Sequence, residues 1–248
     1  MRFSEDLDFV SDLTGKAIAN ILKGTFRKTQ RGCIAQFGPG QWEHKNKSVR
    51  EEATKMFFIY RPHTQRERIA VKLEFETLRA GHRPHFRKLV LRDLPWVAGL
   101  ITSGNLIMPY SSSIILIETP EEILSDKIRA LYERQYLKGR DIYDIWWINQ
   151  QMKVAPDWIM VKEKLHMYQA PFVLARPADY FQKKESQASV IEALKRDLPR
   201  FLPQNILSVY EEKDFKELID TLKAVTSELM DQGMKEYFRD HGARKIDT

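Results

Sequence analysis

The hydrophobic pattern changes from mixed to mostly helical near residue 118, and this change restricts the fold more than any other feature. Before it, several short runs such as residues 71–76 place apolar residues at every second position, which is typical of strands with one apolar face. After it, apolar residues recur every three or four positions, which is typical of amphipathic helices. We therefore predict an α+β fold, with a mixed sheet and helices over residues 1–118 and a helical domain over residues 119–248.

The N-terminal half contains most of the predicted strands. Residues 2–9 alternate between polar and apolar side chains except at Glu5, and two apolar runs separated by a polar stretch predict an antiparallel pair. A helix is expected over residues 14–30, followed by a loop or hairpin over residues 32–50 because Gly, Pro and Lys are frequent there. The strands predicted after residue 50 are 55–61, 69–77, 86–92 and 112–118, with 104–110 as a further candidate.

The helical half begins at a strong start signal. Thr119 is placed to cap a helix, Pro120 suits its first position, and Glu122 completes a capping box. Gly139 interrupts the pattern, which resumes as a second helix over residues 140–151. The later helices are predicted over residues 157–169, 188–202 and 214–242, with a linker over residues 171–181.

Composition limits the class of protein and its location. No apolar run approaches the ~20 residues that a membrane helix needs, so we expect no membrane partner. The single cysteine, Cys33, excludes an internal disulfide and fits a buried thiol in a reducing cytoplasm. The net charge of +6 favours RNA, DNA or nucleotides as partners, although ordinary solvated charge is the alternative.

Three carboxylates in the strand region form the candidate metal site. Asp6 and Asp8 lie two apart on one predicted strand, so their side chains project from the same face. Glu74 lies on the polar face of a second strand. Neighbouring carboxylates repel each other unless a cation lies between them, and hard oxygen ligands suit Mg²⁺. The alternative is a solvated strand edge.

Charged residues also recur at helical spacing in the second half. Lys127 and Arg134 are seven residues apart, and Asp141 and Asp144 are three apart, so each pair shares a helix face. A charged, solvent-facing helix pair is the alternative to a functional cluster. The Trp146–Trp147 pair is interpreted as core rather than as a base-stacking surface.

Taken together, these segments resemble the AbiEii/AbiGii, MenT-like toxins, a branch of the DNA polymerase β-type nucleotidyltransferase superfamily. The resemblance rests on "RFSEDLDF", "VKLEFE" and "EEILSDKIRALYERQYLKGRDIYDIWW" and spans residues 2 to about 150. It implies a nucleotidyltransferase-like N-terminal sheet and Mg²⁺-dependent transfer of a nucleotide from a nucleoside triphosphate to an acceptor. The 3′ end of tRNA is the acceptor for some relatives, and a cognate antitoxin is the usual partner.

The resemblance also implies roles for individual residues. Asp6 and Asp8 would be metal ligands, and Glu74 would bind metal or activate the acceptor hydroxyl. Lys127 would neutralise triphosphate charge, and Arg140 would help to bind the nucleotide. Asp141 and Asp144 are both candidates for the last acidic position. Arg2 and Ser4 share the aspartate face and are expected to contact phosphate oxygens.

One family feature is missing from the printed sequence. Relatives carry a Gly-Gly or Gly-Ser turn before the aspartate strand, whereas only Met1 precedes "RFSEDLDF" here. We therefore expect a chain shortened at its N-terminus relative to the family. Two hypotheses follow: an active nucleotidyltransferase toxin, or an inactive homologue that retains nucleotide, RNA or antitoxin binding. A D-x-D glycosyltransferase would not explain the "RDIYDIW" segment.

Overall fold

The computed structural model describes residues 6–49, 52–64, 68–106, 108 and 113–242. The chain forms two compact units. The first comprises residues 1–83, 163–173 and 199–204, and the second comprises residues 84–162, 174–198 and 205–248. The division into domains at residue 118 stays a prediction, whereas the units group residues 84–118 with the helical segments.

The first unit is built on a four-stranded mixed sheet. Its elements are β1 (Asp6–Ser11), α1 (Gly15–Phe37), β2 (Gly40–Val49), β3 (Ala53–Pro62) and β4 (Ile69–Thr77). The strand order is β1-β4-β3-β2, in which β1 pairs parallel with β4 and the other pairs are antiparallel. The antiparallel pair expected at 55–61 and 69–77 is confirmed.

Helix α1 covers the apolar face of this sheet. It begins after Thr14, whose hydroxyl accepts a hydrogen bond from the Ala17 N–H at 3.4 Å. Burial of apolar side chains from both elements excludes water between helix and sheet, which stabilises the unit. The buried core cluster consists of Ile18, Phe26, Cys33, Met56, Phe58, Tyr60 and Leu73.

The prediction of a loop or hairpin over residues 32–50 is wrong in part. Helix α1 continues to Phe37, and residues 40–49 form a single ten-residue strand. Strand β2 is at the end of the strand order, and antiparallel sheets tolerate polar residues where one face meets water. Its composition, which contains two lysines, therefore hides the strand from sequence reasoning.

The second unit combines a two-stranded sheet with a helical core. Residues 86–90 and 114–118, within the strands predicted at 86–92 and 112–118, form two strands that pair antiparallel. The sequence predicts both strands but not their pairing. The core of the unit contains Tyr132, whose hydroxyl donates to the Ala178 carbonyl at 3.0 Å. The elements with residues in this unit are β5 (Phe86–Val90), α2 (Pro95–Thr102), β6 (Ile114–Glu118), α3 (Pro120–Glu133), α4 (Gly139–Trp146), α5 (Trp158–Met167), α6 (Ser186–Asp197), α7 (Gln204–Glu211), α8 (Lys216–Leu229) and α9 (Lys235–Gly242).

Two sequence expectations in this unit need correction. The Thr119 hydroxyl caps α3 by accepting from the Glu122 N–H at 3.4 Å, but the Glu122 carboxylate does not complete the capping box. It accepts instead from the backbone N–H of His85 at 2.8 Å. The described residues of the candidate strand 104–110, namely 104–106 and 108, are not in a strand. The other three lie outside the described residues.

The α+β class predicted from the sequence is confirmed, with the mixed sheet in the N-terminal part and helices after it. Two π-helical segments, residues 147–151 and 230–234, interrupt the helical part. None of the helices in the described part of the chain is long and apolar enough to cross a membrane.

Candidate active site

The first candidate cluster lies on the polar face of the mixed sheet. Asp8 of β1 is the register partner of Glu74 of β4, and Asp6 is the partner of Lys72. Partnered residues of neighbouring strands project from the same face. The next pair in the register confirms this alternation, because the rings of Phe9 and Phe75 stack at 4.8 Å on the other face.

The structure therefore places Asp8 and Glu74 side by side, and the Asp8 side chain is exposed. The side chain of Asp6 lies outside the described part of the chain. Arg2 and Ser4, expected to contact phosphate, also lie outside the described residues.

Glu74 has two lysine partners that sequence reasoning missed. The ammonium groups of Lys55 and Lys72 lie 3.0 and 3.1 Å from the same oxygen, Oε1. Partial burial raises the pKa of the Glu74 carboxyl, but these two cations outweigh it and hold the pKa below its ordinary value. Glu74 is therefore ionised at neutral pH. Lys72 precedes Glu74 by two residues on the same strand. Lys55 lies on β3, and only the pairing of β3 with β4 brings it next to Glu74.

The chemistry of this face fits a hard divalent cation. Asp8 and Glu74 supply carboxylate oxygens from adjacent strands, which are the ligands that Mg²⁺ prefers. Among the side chains that the structure describes, no three His, Cys, Asp or Glu residues are grouped to hold a metal. The side chain of Asp6 is outside the described part of the chain, so a metal site formed by Asp6, Asp8 and Glu74 together stays a prediction.

The second candidate cluster joins helices α3 and α4. The Lys127 ammonium lies 3.1 Å from Asp141 Oδ1 and 2.9 Å from Asp144 Oδ2. Arg134 also pairs with Asp141. Asp141 is in the first turn of α4, where the helix dipole favours a negative charge. The structure therefore brings together three of the residues that the family resemblance selected.

Burial distinguishes the two aspartates. The Asp141 side chain is only 2% exposed and contacts two cations, whereas the Asp144 side chain is 17% exposed. Lys127 itself is 23% exposed. Asp141 is therefore enclosed by its ion pairs, while Asp144 and Lys127 retain access to a ligand.

Positive charge is concentrated at the start of α4. Burial lowers the pKa of the Lys138 ammonium, and the neighbouring guanidinium groups of Arg134 and Arg140 lower it further. Lys127 contributes in the same direction. Such a group of cations stabilises phosphate oxygens, because a bound anion relieves their mutual repulsion.

The two tryptophans that follow Asp144 have different environments. Trp146 is 5% exposed, as expected for core, and its indole N–H donates to Glu217 at 2.9 Å. Trp147 is 48% exposed, so the expectation of core is wrong for this residue. Both residues are tryptophans of equal hydrophobicity, and only their position around the helix axis distinguishes the buried ring from the exposed one.

Comparison with protein-family models matches residues 1–237 to the nucleotidyl transferase AbiEii toxin of type IV toxin–antitoxin systems. Comparison with curated proteins finds no match. Among solved structures, JHP933 from Helicobacter pylori matches with 15% identity and a TM-score of 0.45, covering 100% of this chain and 83% of that one. A candidate nucleotidyltransferase from the same organism matches with 16% identity and a TM-score of 0.46, covering 93% and 81%.

Proposed function

The chain belongs to the AbiEii nucleotidyl transferase toxin family, and we propose that it transfers a nucleotide from a nucleoside triphosphate to an RNA acceptor with the help of Mg²⁺. The observation that carries the proposal is the register of β1 and β4, because it sets Asp8 beside Glu74 on one polar face. A pair of carboxylates from adjacent strands is suited to hold the cations that phosphoryl-group chemistry requires.

Asp6, Asp8 and Glu74 would hold the cation. Mg²⁺, when bound, supplies positive charge to the phosphate oxygens and the leaving pyrophosphate. The lowered pKa of Glu74 suits a permanently ionised ligand better than a proton acceptor, since an efficient general base has a pKa near the working pH. Lys55 and Lys72 keep Glu74 ionised and restrict where its carboxylate points.

The cations of α3 and α4 would bind phosphate. Lys127 is the nucleotide-binding lysine implied by the family resemblance, and Arg140, in the first turn of α4, supplies a further cation for a phosphate group. Asp141 is enclosed by Lys127 and Arg134 and would hold both side chains in place. Asp144 is more accessible and is our choice for the acidic residue that contacts the ligand.

The acceptor and the partner follow from the family and from charge. A net charge of +6 favours a polyanionic acceptor, and we propose RNA, with the 3′ end of tRNA as the first substrate to examine. Membership of a type IV toxin–antitoxin family implies a cognate antitoxin. The protein would meet both the RNA acceptor and the antitoxin in the cytoplasm.

A transfer assay tests the proposal. The protein is incubated with Mg²⁺, each α-³²P-labelled nucleoside triphosphate and total RNA, with Asp12→Ala as the matched control for Asp8→Ala. Asp12 is also exposed but follows β1. We expect label on RNA with the wild type and Asp12→Ala, and none with Asp8→Ala. Equal labelling by both variants would exclude Asp8 from the chemistry.

A second candidate function is binding without transfer. Lys127 is engaged by two carboxylates and Glu74 by two lysines, so ion pairs within the chain occupy groups that a substrate or metal would need. An inactive homologue that retains nucleotide, RNA or antitoxin binding would show this arrangement. Absence of label with all four triphosphates, together with retained RNA binding, would favour it.

A further inference from the structure

An exposed aromatic surface adjoins the cations of α4. Trp147 is 48% exposed, and its ring stacks on Tyr143 with a centroid separation of 6.5 Å and an interplanar angle of 26°. Single exposed hydrophobic residues are common on protein surfaces, whereas here an exposed ring lies against a second aromatic ring and the two form a patch. We call Tyr143 and Trp147 the aromatic ledge.

The rest of the cluster fixes the orientation of the ledge. Tyr143 meets Tyr210 edge-on at 6.1 Å and contacts Trp146 at 5.3 Å. Tyr210 also packs edge-on against Trp146 at 5.7 Å. Because Trp146 is buried and bonded to Glu217, these contacts hold the Tyr143 ring in place. A surface that is already ordered loses less entropy when it binds a ligand.

The ledge shares one helix face with a cation. Arg140, Tyr143, Asp144 and Trp147 follow the i, i+3, i+4, i+7 spacing, and all four are at least partly exposed. None of the ion pairs among the described residues includes Arg140. An arginine with free donors beside aromatic faces matches a nucleotide, which offers a phosphate and a flat base.

We infer that the aromatic ledge stacks an unpaired base of the acceptor RNA strand while Arg140 binds the phosphate of that strand. The inference rests on the proposed function, because it identifies the surface that receives the acceptor. The length of the face favours a strand over a single nucleotide. From Arg140 to Trp147 it extends roughly 10 Å at 1.5 Å per residue, against about 3.4 Å between stacked bases.

The polar surroundings extend beyond Trp147. Gln150, one turn later, lines a cavity of about 450 Å³ whose charged residues are Lys213, Lys216, Glu217 and Asp220. The ledge is therefore bordered by Arg140 on one side and by a cavity of mixed charge on the other. Aromatic rings beside a positive group are typical of surfaces that bind single-stranded nucleic acid.

Binding of a fluorescein-labelled single-stranded RNA 12-mer, followed by anisotropy without Mg²⁺ or triphosphate, tests the inference. We expect Trp147→Ala to weaken binding about 5- to 150-fold, the range for losing one base–aromatic stack. Trp96→Ala is the matched control, because Trp96 is 55% exposed on α2. It should change the dissociation constant by less than about twofold.

Two conservative variants separate stacking from packing. Trp147→Phe keeps an aromatic face and should retain most of the affinity, whereas Trp147→Leu keeps an apolar side chain and should lose it. Arg140→Gln should reduce the slope of log K against log salt by about 0.7, the contribution of one phosphate contact to a single strand. Circular dichroism melts confirm that each variant is folded.

The outcomes distinguish this inference from the proposed function. Unchanged RNA binding by Trp147→Ala, or no RNA binding by the wild type, would overturn the inference even if nucleotide transfer occurs. If Trp147→Ala loses nucleoside triphosphate binding but keeps RNA binding, the ledge binds the donor nucleotide, and this result would also overturn the inference. RNA binding that depends on Trp147 would sustain it even if no transfer is detected.

Discussion

Asp8 of β1 lies directly opposite Glu74 of β4 in a parallel register, and both project from the polar face of the sheet. This relationship joins two segments that are far apart in the sequence. It also sets one exposed carboxylate beside another that two lysines already hold ionised. The proposed chemistry depends on this pair more than on any other feature.

The lowered pKa of Glu74 predicts how its contribution to stability changes with pH. A carboxyl whose folded pKa lies below its ordinary value of 4.5 stabilises the fold above that value and loses this effect as the pH falls through the folded pKa. We therefore expect the melting temperature of wild type to exceed that of Glu74→Gln at pH 6. The difference should shrink below about pH 4.5.

Removal of Lys55 and Lys72 tests whether these two cations lower the pKa of Glu74. In Lys55→Met/Lys72→Met the partial burial remains while both cations are lost, so the pKa of Glu74 should rise above its ordinary value. Titration of the Glu74 carboxyl by NMR measures it directly. A Glu74 pKa that is the same in this variant and in the wild type would show that the lysines do not set it.

Replacing Lys127 should reduce nucleotide transfer strongly. Lys127→Ala removes a preorganised cation from the proposed phosphate site, and we expect kcat/KM to fall about 100-fold or more. Lys183→Ala is the control, because Lys183 is an exposed lysine paired with Asp179 one turn away. If the two variants have similar kinetics, Lys127 is only a partner of Asp141 and Asp144.

The two aspartates of α4 should differ in their effect on stability. Asp141→Ala removes a carboxylate that is 2% exposed and pairs with both Lys127 and Arg134, so we expect a loss of about 3 kcal/mol or more in the free energy of unfolding. Asp144→Ala should cost about 1 kcal/mol or less. Urea denaturation measures both values. Equal losses would contradict the assignment of Asp141 to positioning and Asp144 to ligand contact.

The close approach of α4 and α6 depends on Gly139. A Cβ at this position would lie 2.7 Å from the Leu194 Cα and would also meet the Ala193 carbonyl, so the backbone would have to shift. We expect Gly139→Ala to destabilise the protein by about 1–3 kcal/mol. Gly24→Ala is the matched control inside α1, where no atom lies within 4 Å, and it should stabilise by about 0.5–1 kcal/mol. Thermal melts compare them, and equal shifts would contradict close packing at Gly139.

Local sequence patterns predicted the strands and helices themselves better than they predicted which strands pair and in which register. The alternation around Asp8 and around Glu74 indicated two strands, and the Thr119 signal indicated the start of α3, because each depends on neighbours in the sequence. The register that sets Asp8 beside Glu74 and Lys55 depends on long-range packing. The spacing of apolar residues along each strand does not determine which residues of two strands become register partners.

The errors have similar physical causes. Strand β2 was missed because its exposed positions are polar, and α2 because an eight-residue helix is too short for a clear period. Glu122 satisfied a capping pattern in the sequence, but its carboxylate bonds to His85, which is distant along the chain. Trp147 is predicted to be core because it is aromatic, whereas its position directly after α4 leaves it exposed.

Manganese binding tests the central claim most directly, since Mn²⁺ takes the same oxygen ligands as Mg²⁺ and its free form is measured by electron paramagnetic resonance. We predict that wild type and Asp12→Asn bind Mn²⁺ with the same dissociation constant. Asp8→Asn and Glu74→Gln should each weaken binding about tenfold or more while their melting curves show a folded protein. Equal Mn²⁺ binding by all four proteins would contradict a metal site between β1 and β4.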